Sequence, residues 1–450
     1  MKYHIITFGC QANISDSEKI SDFLNKNNQK TSNINEADLI IVNMCSVRQS
    51  AVDRVLGLNP KLKKLLLNHS NLITILTGCI LEKDKTKFNK YFDYILDIKK
   101  LNEWPKTLSL KPNKSITLSK SLTANIHIIT GCNNFCSYCV VPYTRGREKS
   151  KPTKDIILEI KKHLKNGAKE IWLLGQNVNS YKSKIQMPND KSNPKFKIQK
   201  EIKFAELLKI INDIPGEFWV RFTSSHPKDF SNELITAMKK YDKITKYLNL
   251  PVQSGDNQIL KKMNRHYTNK DYQKIIRNIR KEIPEITLST DVIVGFPGET
   301  KKQFENTAQL FRDIKYDMAY INKYSPRFGT VAQKLKDNIS LKEKKEREKI
   351  LTKILEQTAL KNNKKYISKT LLVLFDKQKI KKTFTSQLNQ KASQTSNKLY
   401  LIGKTKSYRT IKIEVPKKQA SKLIGKFIKV KIIDALPWGL KGILETKIPK

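Results

Sequence analysis

Short apolar runs alternate with amphipathic stretches from the first residues onward. Residues 3–8 make an apolar run of strand length, Ser15 and Asp16 offer a helix cap, and the pattern predicts a helix to about Lys26. Residues 37–43, ADLIIVN, are the continuous apolar run of a strand buried on both faces. A helix from about Arg48 to Leu58 follows, then strands at 71–76 and 92–98. This is an open α/β unit. Cys10, Cys45 and Cys79 each come just after one of the first three strands. Ligand sites in such sheets lie beyond the carboxyl ends of the strands, so thiols 35 and 34 positions apart are expected to gather at one edge.

A second region begins near Leu118. Its candidate strands, 125–130, 169–174, 217–224, 247–252, 287–294 and 318–325, alternate with helical stretches at 154–166, 204–214, 232–241, 270–281 and 301–315. Six strands alternating with helices predict a parallel sheet curled into a partial or full barrel, with its chemistry at the carboxyl ends of the strands. Residues 181–201, rich in Lys and containing Pro, interrupt the second repeat as an expected mobile surface loop. A polar helix over about 341–361 leads to short strands at 371–375, 399–402, 410–415 and 427–433. Gly403, Gly425, Gly439 and Gly442 punctuate them, which predicts a small antiparallel barrel. The fold class is α/β with three domains, 1–117, 118–360 and 363–446, in line with about 150 residues per domain.

Charge sharpens this division. The 87 Lys and Arg against 41 Asp and Glu give a net +46, but only 12 of the 87 are Arg, and a general bias toward Lys weakens the raw total as evidence for a partner. Its distribution is more informative. Residues 361–450 carry 23 basic against 4 acidic side chains, net +19, while the other 360 residues carry +27. The tail is nearly threefold denser in charge, which points to a polyanionic partner. No run of about 18 apolar residues exists to span a membrane. The N-terminus has neither a long apolar stretch nor a small-residue cleavage site, and a cytosolic protein is expected.

The six cysteines are too few for a disulfide scaffold. Cys132, Cys136 and Cys139 form a C-x3-C-x2-C group directly after a strand. Three thiolates on one tight loop can hold three irons of a 4Fe–4S cluster and leave the fourth open, as a catalytic site requires. A zinc knuckle would need a fourth ligand, and His127 and His163 are poorly placed to supply one. Cys10, Cys45 and Cys79 taken alone could be buried core thiols. Their matched placement after three strands argues instead for a second three-ligand set.

The Cys132–Cys139 spacing after the first barrel strand resembles the radical S-adenosylmethionine superfamily. The segments Gly9-Cys10-Gln11-Ala12-Asn13 with Asp16-Ser17-Glu18, Asn43-Met44-Cys45-Ser46-Val47-Arg48 and Thr77-Gly78-Cys79 resemble the N-terminal domain of its methylthiotransferases. The resemblance covers nearly the whole chain and implies two 4Fe–4S clusters, S-adenosylmethionine on the open iron of the Cys132/Cys136/Cys139 cluster, and a C-terminal barrel of the TRAM type. Residues 140–148, 174–181 and 222–227 look like the subfamily that acts on N6-isopentenyladenosine at position 37 of tRNA. By the same resemblance Gln176, Asn177, Gln253, Asp291 and Gly295 border the S-adenosylmethionine pocket, and the Leu250-Pro251-Val252-Gln253-Ser254-Gly255 turn lies near it.

The implied reaction inserts sulfur at C2 of the adenine and methylates it. One S-adenosylmethionine yields the hydrogen-abstracting 5′-deoxyadenosyl radical and a second gives the methyl. The implied partners are the anticodon stem-loop of tRNA, an electron donor and a sulfur source, with no membrane and a monomeric chain. Arg145 and Arg147 read either as phosphate contacts or as a solvated basic loop, Val140 and Val141 as an apolar substrate wall or as barrel core, and His226 and His266 as structural groups. Two motifs depart from the family. Arg327-Phe328-Gly329-Thr330 lacks the usual Pro, and Gly403-Lys404-Thr405 with Tyr408 has Lys where Arg is usual, which keeps the charge and loses the bidentate fork. A sister methylthiotransferase for threonylcarbamoyladenosine tRNA or a ribosomal-protein aspartate, a non-catalytic iron–sulfur RNA-binding protein and a zinc-binding RNA module are the competing readings.

Overall fold

The computed structural model describes the chain except residues 26–27, 48, 70, 109–120, 189–196, 381–397 and 446–450. Lys26, Arg48, the 117/118 domain junction, the middle of the 181–201 segment and the end of the 363–446 domain therefore lie outside the described residues. The chain divides into two compact units. One comprises Met1–His226 with Lys261–Arg265 and Ser325–Asp337, and the other comprises Pro227–Leu260, His266–Tyr324 and Asn338–Lys450.

The first unit opens with a five-stranded parallel sheet in the order Gln29–Lys30, Lys2–Phe8, Leu39–Cys45, Ile73–Cys79, Tyr94–Ile95. Its central strand Leu39–Cys45 is buried at every position. Alternation explains how one run serves two faces. Leu39 and Ile41 join Tyr3, Ile20, Phe23 and Trp104, whereas Ile40, Val42 and Met44 join Val52, Val55, Leu62 and Phe88. Both middle strands run to their cysteines, so Cys45 and Cys79 are strand residues and not loop residues. The helix Gln11–Leu24 starts earlier than Ser15, with Cys10 at its N-cap. The helix Gln49–Asn68 runs ten residues beyond Leu58 and through Pro60, because Leu62, Leu65 and Leu66 still pack on the sheet.

A second parallel sheet in this unit orders Trp219–Thr223, Glu170–Leu174 and Thr123–His127. Asn125 on its edge strand ties the N-terminal helix down. It accepts from Gln11 Nε2 at 3.0 Å and from Ser15 Oγ through its carbonyl at 2.9 Å, and its own amide donates to both Glu18 oxygens at 3.1 Å. Burial of Glu18 outweighs that donation and lifts its pKa from 4.5 to about 7. A carboxyl group with a raised folded-state pKa favours the fold when protonated. That contribution is complete below pH 4.5 and lost as pH rises to about 7. Glu18→Gln is therefore expected to abolish a fall in stability of about 2 kcal/mol between pH 5 and pH 8, at roughly 1.4 kcal/mol per pKa unit. Urea melts at the two pH values check this, and a fall of equal size in the variant would refute it.

The described ends of the 181–201 segment are strands and not irregular loop. Lys182–Pro188 and Lys197–Lys203 pair as an antiparallel hairpin, in keeping with the sequence alternation at Ile185, Met187, Ile198 and Ile202, which the Lys and Pro content obscures.

In the second unit Tyr247–Asn249, Thr287–Val294 and Met318–Lys323 make a parallel sheet, so all six expected core strands are present as two three-stranded sheets. The helix Leu341–Lys364 leads into a closed barrel of Thr370–Ile380, Lys398–Thr405, Thr410–Pro416, Gly439–Leu444 and Phe427–Leu436, around a core that includes Val373, Phe375, Leu401, Ile413, Val430 and Leu440. The barrel is not wholly antiparallel. Gly439–Leu444, unforeseen as a strand, closes it by pairing parallel to Thr410–Pro416. Its glycines look like turn punctuation, but a Cβ on Gly442 would come within 2.8 Å of the Lys431 carbonyl oxygen. Close strand packing requires that glycine. The intervening helix Lys417–Leu423 was also not expected. None of the described helices is long and apolar enough to cross a membrane.

Candidate functional site

All six cysteines belong to the first unit. Parallel register makes Cys45 and Cys79 direct neighbours on adjacent strands. Cys10 joins them from the helix N-cap, with the backbone N–H groups of Ala12 and Asn13 directed at its sulfur. Asn13, buried, is the tie: its amide donates to Asn43 Oδ1 at 2.9 Å and to the Met44 carbonyl at 3.1 Å, and its Oδ1 accepts from the Cys10 N–H at 3.2 Å. Gly78 lets the third strand approach. Its φ is +109°, and a Cβ there would lie 2.2 Å from the Met44 carbonyl oxygen.

Cys45 sits within side-chain hydrogen-bond reach of both Cys10 and Cys79. This proximity pulls Cys10 down to about 5 and lowers Cys79 against the opposing effect of burial, while Cys45 itself is raised. Arg145 adds positive charge: its Nε donates to Cys79 Sγ at 2.9 Å and its Nη2 to Asp16 Oδ2 at 2.9 Å. The Arg145 side chain is only 9% exposed, so it is neither a phosphate contact nor a solvated loop residue. Nearby, His127 Nε2 lies 3.6 Å from Asp16, and burial holds this imidazole well below its ordinary pKa, hence neutral.

The second triad lies on the turn after Thr123–His127. The Cys132 N–H donates to the Gly146 carbonyl at 3.1 Å and the Cys139 N–H to the Cys136 carbonyl at 2.9 Å. Asn134 Nδ2 donates to Cys132 Sγ at 3.5 Å and Arg265 Nη1 to Cys136 Sγ at 3.6 Å. Residues 261–265 brace the turn: Asn264 donates to the Asn134 and Phe135 carbonyls, and Ser137 Oγ to the Lys262 carbonyl. Burial pushes Cys139 up to about 12 and raises Cys132, so these thiols keep their protons until a metal displaces them. Among the described residues no group of three His, Cys, Asp or Glu closes round the point of a single ion. A 4Fe–4S cluster asks each thiolate for a different iron, and this all-sulfur donor set fits it.

The polar residues expected to border a nucleoside cofactor fall in both units. In the first, the turn after Glu170–Leu174 holds Gln176, whose Oε1 is buried without a hydrogen-bond partner, and Asn177, which is buried. Asn179 and the Ser225 hydroxyl, not singled out in the sequence, also carry buried polar atoms without partners. Such atoms are rare in folded proteins and fit a polar ligand at these strand ends. In the second unit Gln253 has φ 68° and its N–H donates to the Asp291 carbonyl at 2.8 Å, while Asn249 donates to Asp291 Oδ2 at 3.0 Å. The Gly295 N–H is taken by Glu299 at 2.7 Å, and Lys344 covers its α-carbon. Val140 is fully buried, as a core residue, and Val141 is half-buried. Arg327 donates to Gln49 Oε1 at 2.6 Å, and Lys404 to Thr410 Oγ1 at 2.6 Å with its ammonium over Tyr408.

Two family models match the chain: the Radical SAM superfamily over residues 126–311 and the Uncharacterized protein family UPF0004 over residues 2–97. Each span contains one thiol triad. The chain is 38% identical to the tRNA-2-methylthio-N(6)-dimethylallyladenosine synthase of Caldicellulosiruptor saccharolyticus, over 98% of this chain and 92% of that protein. It is also 38% identical to the synthase of the same name from Thermoanaerobacter sp., over 99% of this chain and 93% of that one. The chain belongs to the tRNA-2-methylthio-N(6)-dimethylallyladenosine synthase family. It is thus a radical S-adenosylmethionine enzyme of the tRNA methylthiotransferase class. The synthase fold has a solved counterpart in the radical S-adenosylmethionine methyltransferase TsrM from Kitasatospora setae. That structure has a TM-score of 0.52 and 12% identity, over 74% of this chain and 77% of that one.

Proposed function

We propose that the chain transfers a methylthio group to C2 of N6-isopentenyladenosine at position 37 of tRNA, in the cytoplasm, with two 4Fe–4S clusters and two S-adenosylmethionine molecules. In this reading the working regions are 1–117, 118–360 and 363–446. Cys132, Cys136 and Cys139 hold one cluster, and Cys10, Cys45 and Cys79 hold the other. The observation that carries it is the presence of two separate three-thiol sets in one compact unit, and a 4Fe–4S cluster on either would keep one iron without a protein ligand. When bound, the first cluster and its S-adenosylmethionine supply the hydrogen-abstracting radical and the second cluster presents the sulfur. In the first unit the polar atoms of Gln176, Asn177, Asn179 and Ser225 orient the nucleoside cofactor.

For RNA, the loop after the radical triad offers a stacking surface. Tyr143 is exposed and meets Phe135 edge-on at 6.3 Å, and the Arg147 guanidinium lies 4.4 Å from the Phe135 ring centre. The barrel adds exposed Lys417, Lys418, Lys422 and Lys426. Replacing these four by Gln is expected to weaken tRNA binding at low salt and to reduce the slope of log K against log salt by roughly one for each phosphate no longer neutralised. Filter binding between 50 and 200 mM salt checks this, and an unchanged slope would mean the lysines are merely solvated.

The reading as a whole is tested with reconstituted enzyme and tRNA bearing isopentenyl, threonylcarbamoyl or no modification on adenosine 37, with 2-methylthio nucleoside measured by mass. Isopentenyl is apolar, whereas threonylcarbamoyl brings a carboxylate that costs several kcal/mol to bury unpaired, so a preference of about a thousandfold is expected. Faster turnover of threonylcarbamoyl tRNA would assign the chain to the sister activity.

A further inference from the structure

Arg145 lies six residues beyond Cys139, at the end of the short helix Val141–Arg145 that continues the radical triad's loop. Its guanidinium nevertheless serves the other triad. Nε donates to Cys79 Sγ at 2.9 Å while Nη2 is anchored on Asp16 at 2.9 Å, and both acidic and basic side chains are more than nine-tenths buried. Resting on the two-cluster reading above, we infer that Arg145 is a positioning residue that sets the reduction potential of the Cys10/Cys45/Cys79 cluster through its charge-assisted hydrogen bond to Cys79.

The physical chain is short. Reduction adds one electron to the cluster, and part of that charge is carried on the thiolate sulfurs. A cationic donor on one of those sulfurs stabilises the reduced state more than the oxidised one and raises the potential. Burial keeps water from screening the contact. The fork geometry matters as much as the charge, because one nitrogen must meet sulfur while another meets Asp16. Lysine keeps the charge but lacks the planar fork that places one nitrogen on sulfur and another on Asp16. The cluster whose cysteines come from residues 10–79 is thereby tuned by a residue from the loop that holds the other. Outer-shell donors of this kind orient and tune metal ligands generally.

The test uses full-length protein carrying Cys132→Ala, Cys136→Ala and Cys139→Ala, so that only the auxiliary cluster remains to be read. Iron content is measured first. The potential is then titrated with dithionite and followed by electron paramagnetic resonance of the reduced cluster. The expected result is about four irons per chain, with Arg145→Gln shifting the midpoint to lower potential and Arg145→Lys shifting it less in the same direction. If Arg145→Gln fails to retain iron, the Arg145→Lys midpoint decides, and a value equal to the parent's would overturn the inference. So would an unchanged midpoint in Arg145→Gln at full iron content. A triple-alanine parent with no iron would instead overturn the two-cluster reading itself.

Discussion

Replacing Cys132 by alanine is expected to take the anaerobically reconstituted chain from about eight irons to about four and to abolish reductive cleavage of S-adenosylmethionine. Cys45→Ala is expected to remove a similar amount of iron, leave cleavage running and eliminate the methylthio product. The two outcomes differ because the triads are built by different elements. Cys132, Cys136 and Cys139 share one turn braced by Asn264 and Ser137, whereas Cys45 and Cys79 stand on neighbouring strands with Cys10 at a helix cap. Loss of Cys45 also removes the sulfur that lies between Cys10 and Cys79, while the contact of Arg145 with Cys79 remains. Iron assay, absorbance and 5′-deoxyadenosine release separate the cases. Iron content unchanged by Cys45→Ala would leave those three thiols as ordinary core residues.

The second large effect concerns stability. Arg221 has no exposed surface, its Nε donates to Glu170 Oε1 at 2.5 Å, and its guanidinium lies 5.4 Å from the Trp219 ring centre. The other Glu170 oxygen accepts from Trp172 Nε1 at 3.0 Å. Arg221→Ala leaves a buried carboxylate without its cation and is expected to cost about 3–5 kcal/mol. An apolar pair of similar size, Arg221→Met with Glu170→Leu, should recover most of that loss, because it removes both desolvated charges together. Urea unfolding followed by tryptophan fluorescence reads the difference. A loss below about 1 kcal/mol in Arg221→Ala would show that solvent reaches the pair after all.

The cysteine pattern was legible because its spacing is local or tied to strand ends, and apolar runs such as residues 37–43 mark strands wherever both faces are buried. Arg145 was not. Its partners Cys79 and Asp16 are 66 and 129 residues away in sequence, and nothing local separates a buried fork from a solvated loop arginine. The 182–203 hairpin was hidden by Lys and Pro, and the closing barrel strand by Gly439 and Gly442, residues whose usual meaning is a turn. Asn125 and Arg265 escaped for the same reason as Arg145: each acts through partners distant along the chain.

The register that sets Cys45 beside Cys79 also constrains how this sheet can vary between relatives. Side chains alternate along a strand, so one residue inserted between Leu39 and Cys45, or between Ile73 and Cys79, would turn that sulfur to the opposite face while its partner stayed put. Exchanging Ile40 for Val or Leu76 for Ile leaves the spacing intact. The two strands thus act as rulers. Changes of apolar side chain are tolerated along them, whereas a change in length by a single residue separates the pair.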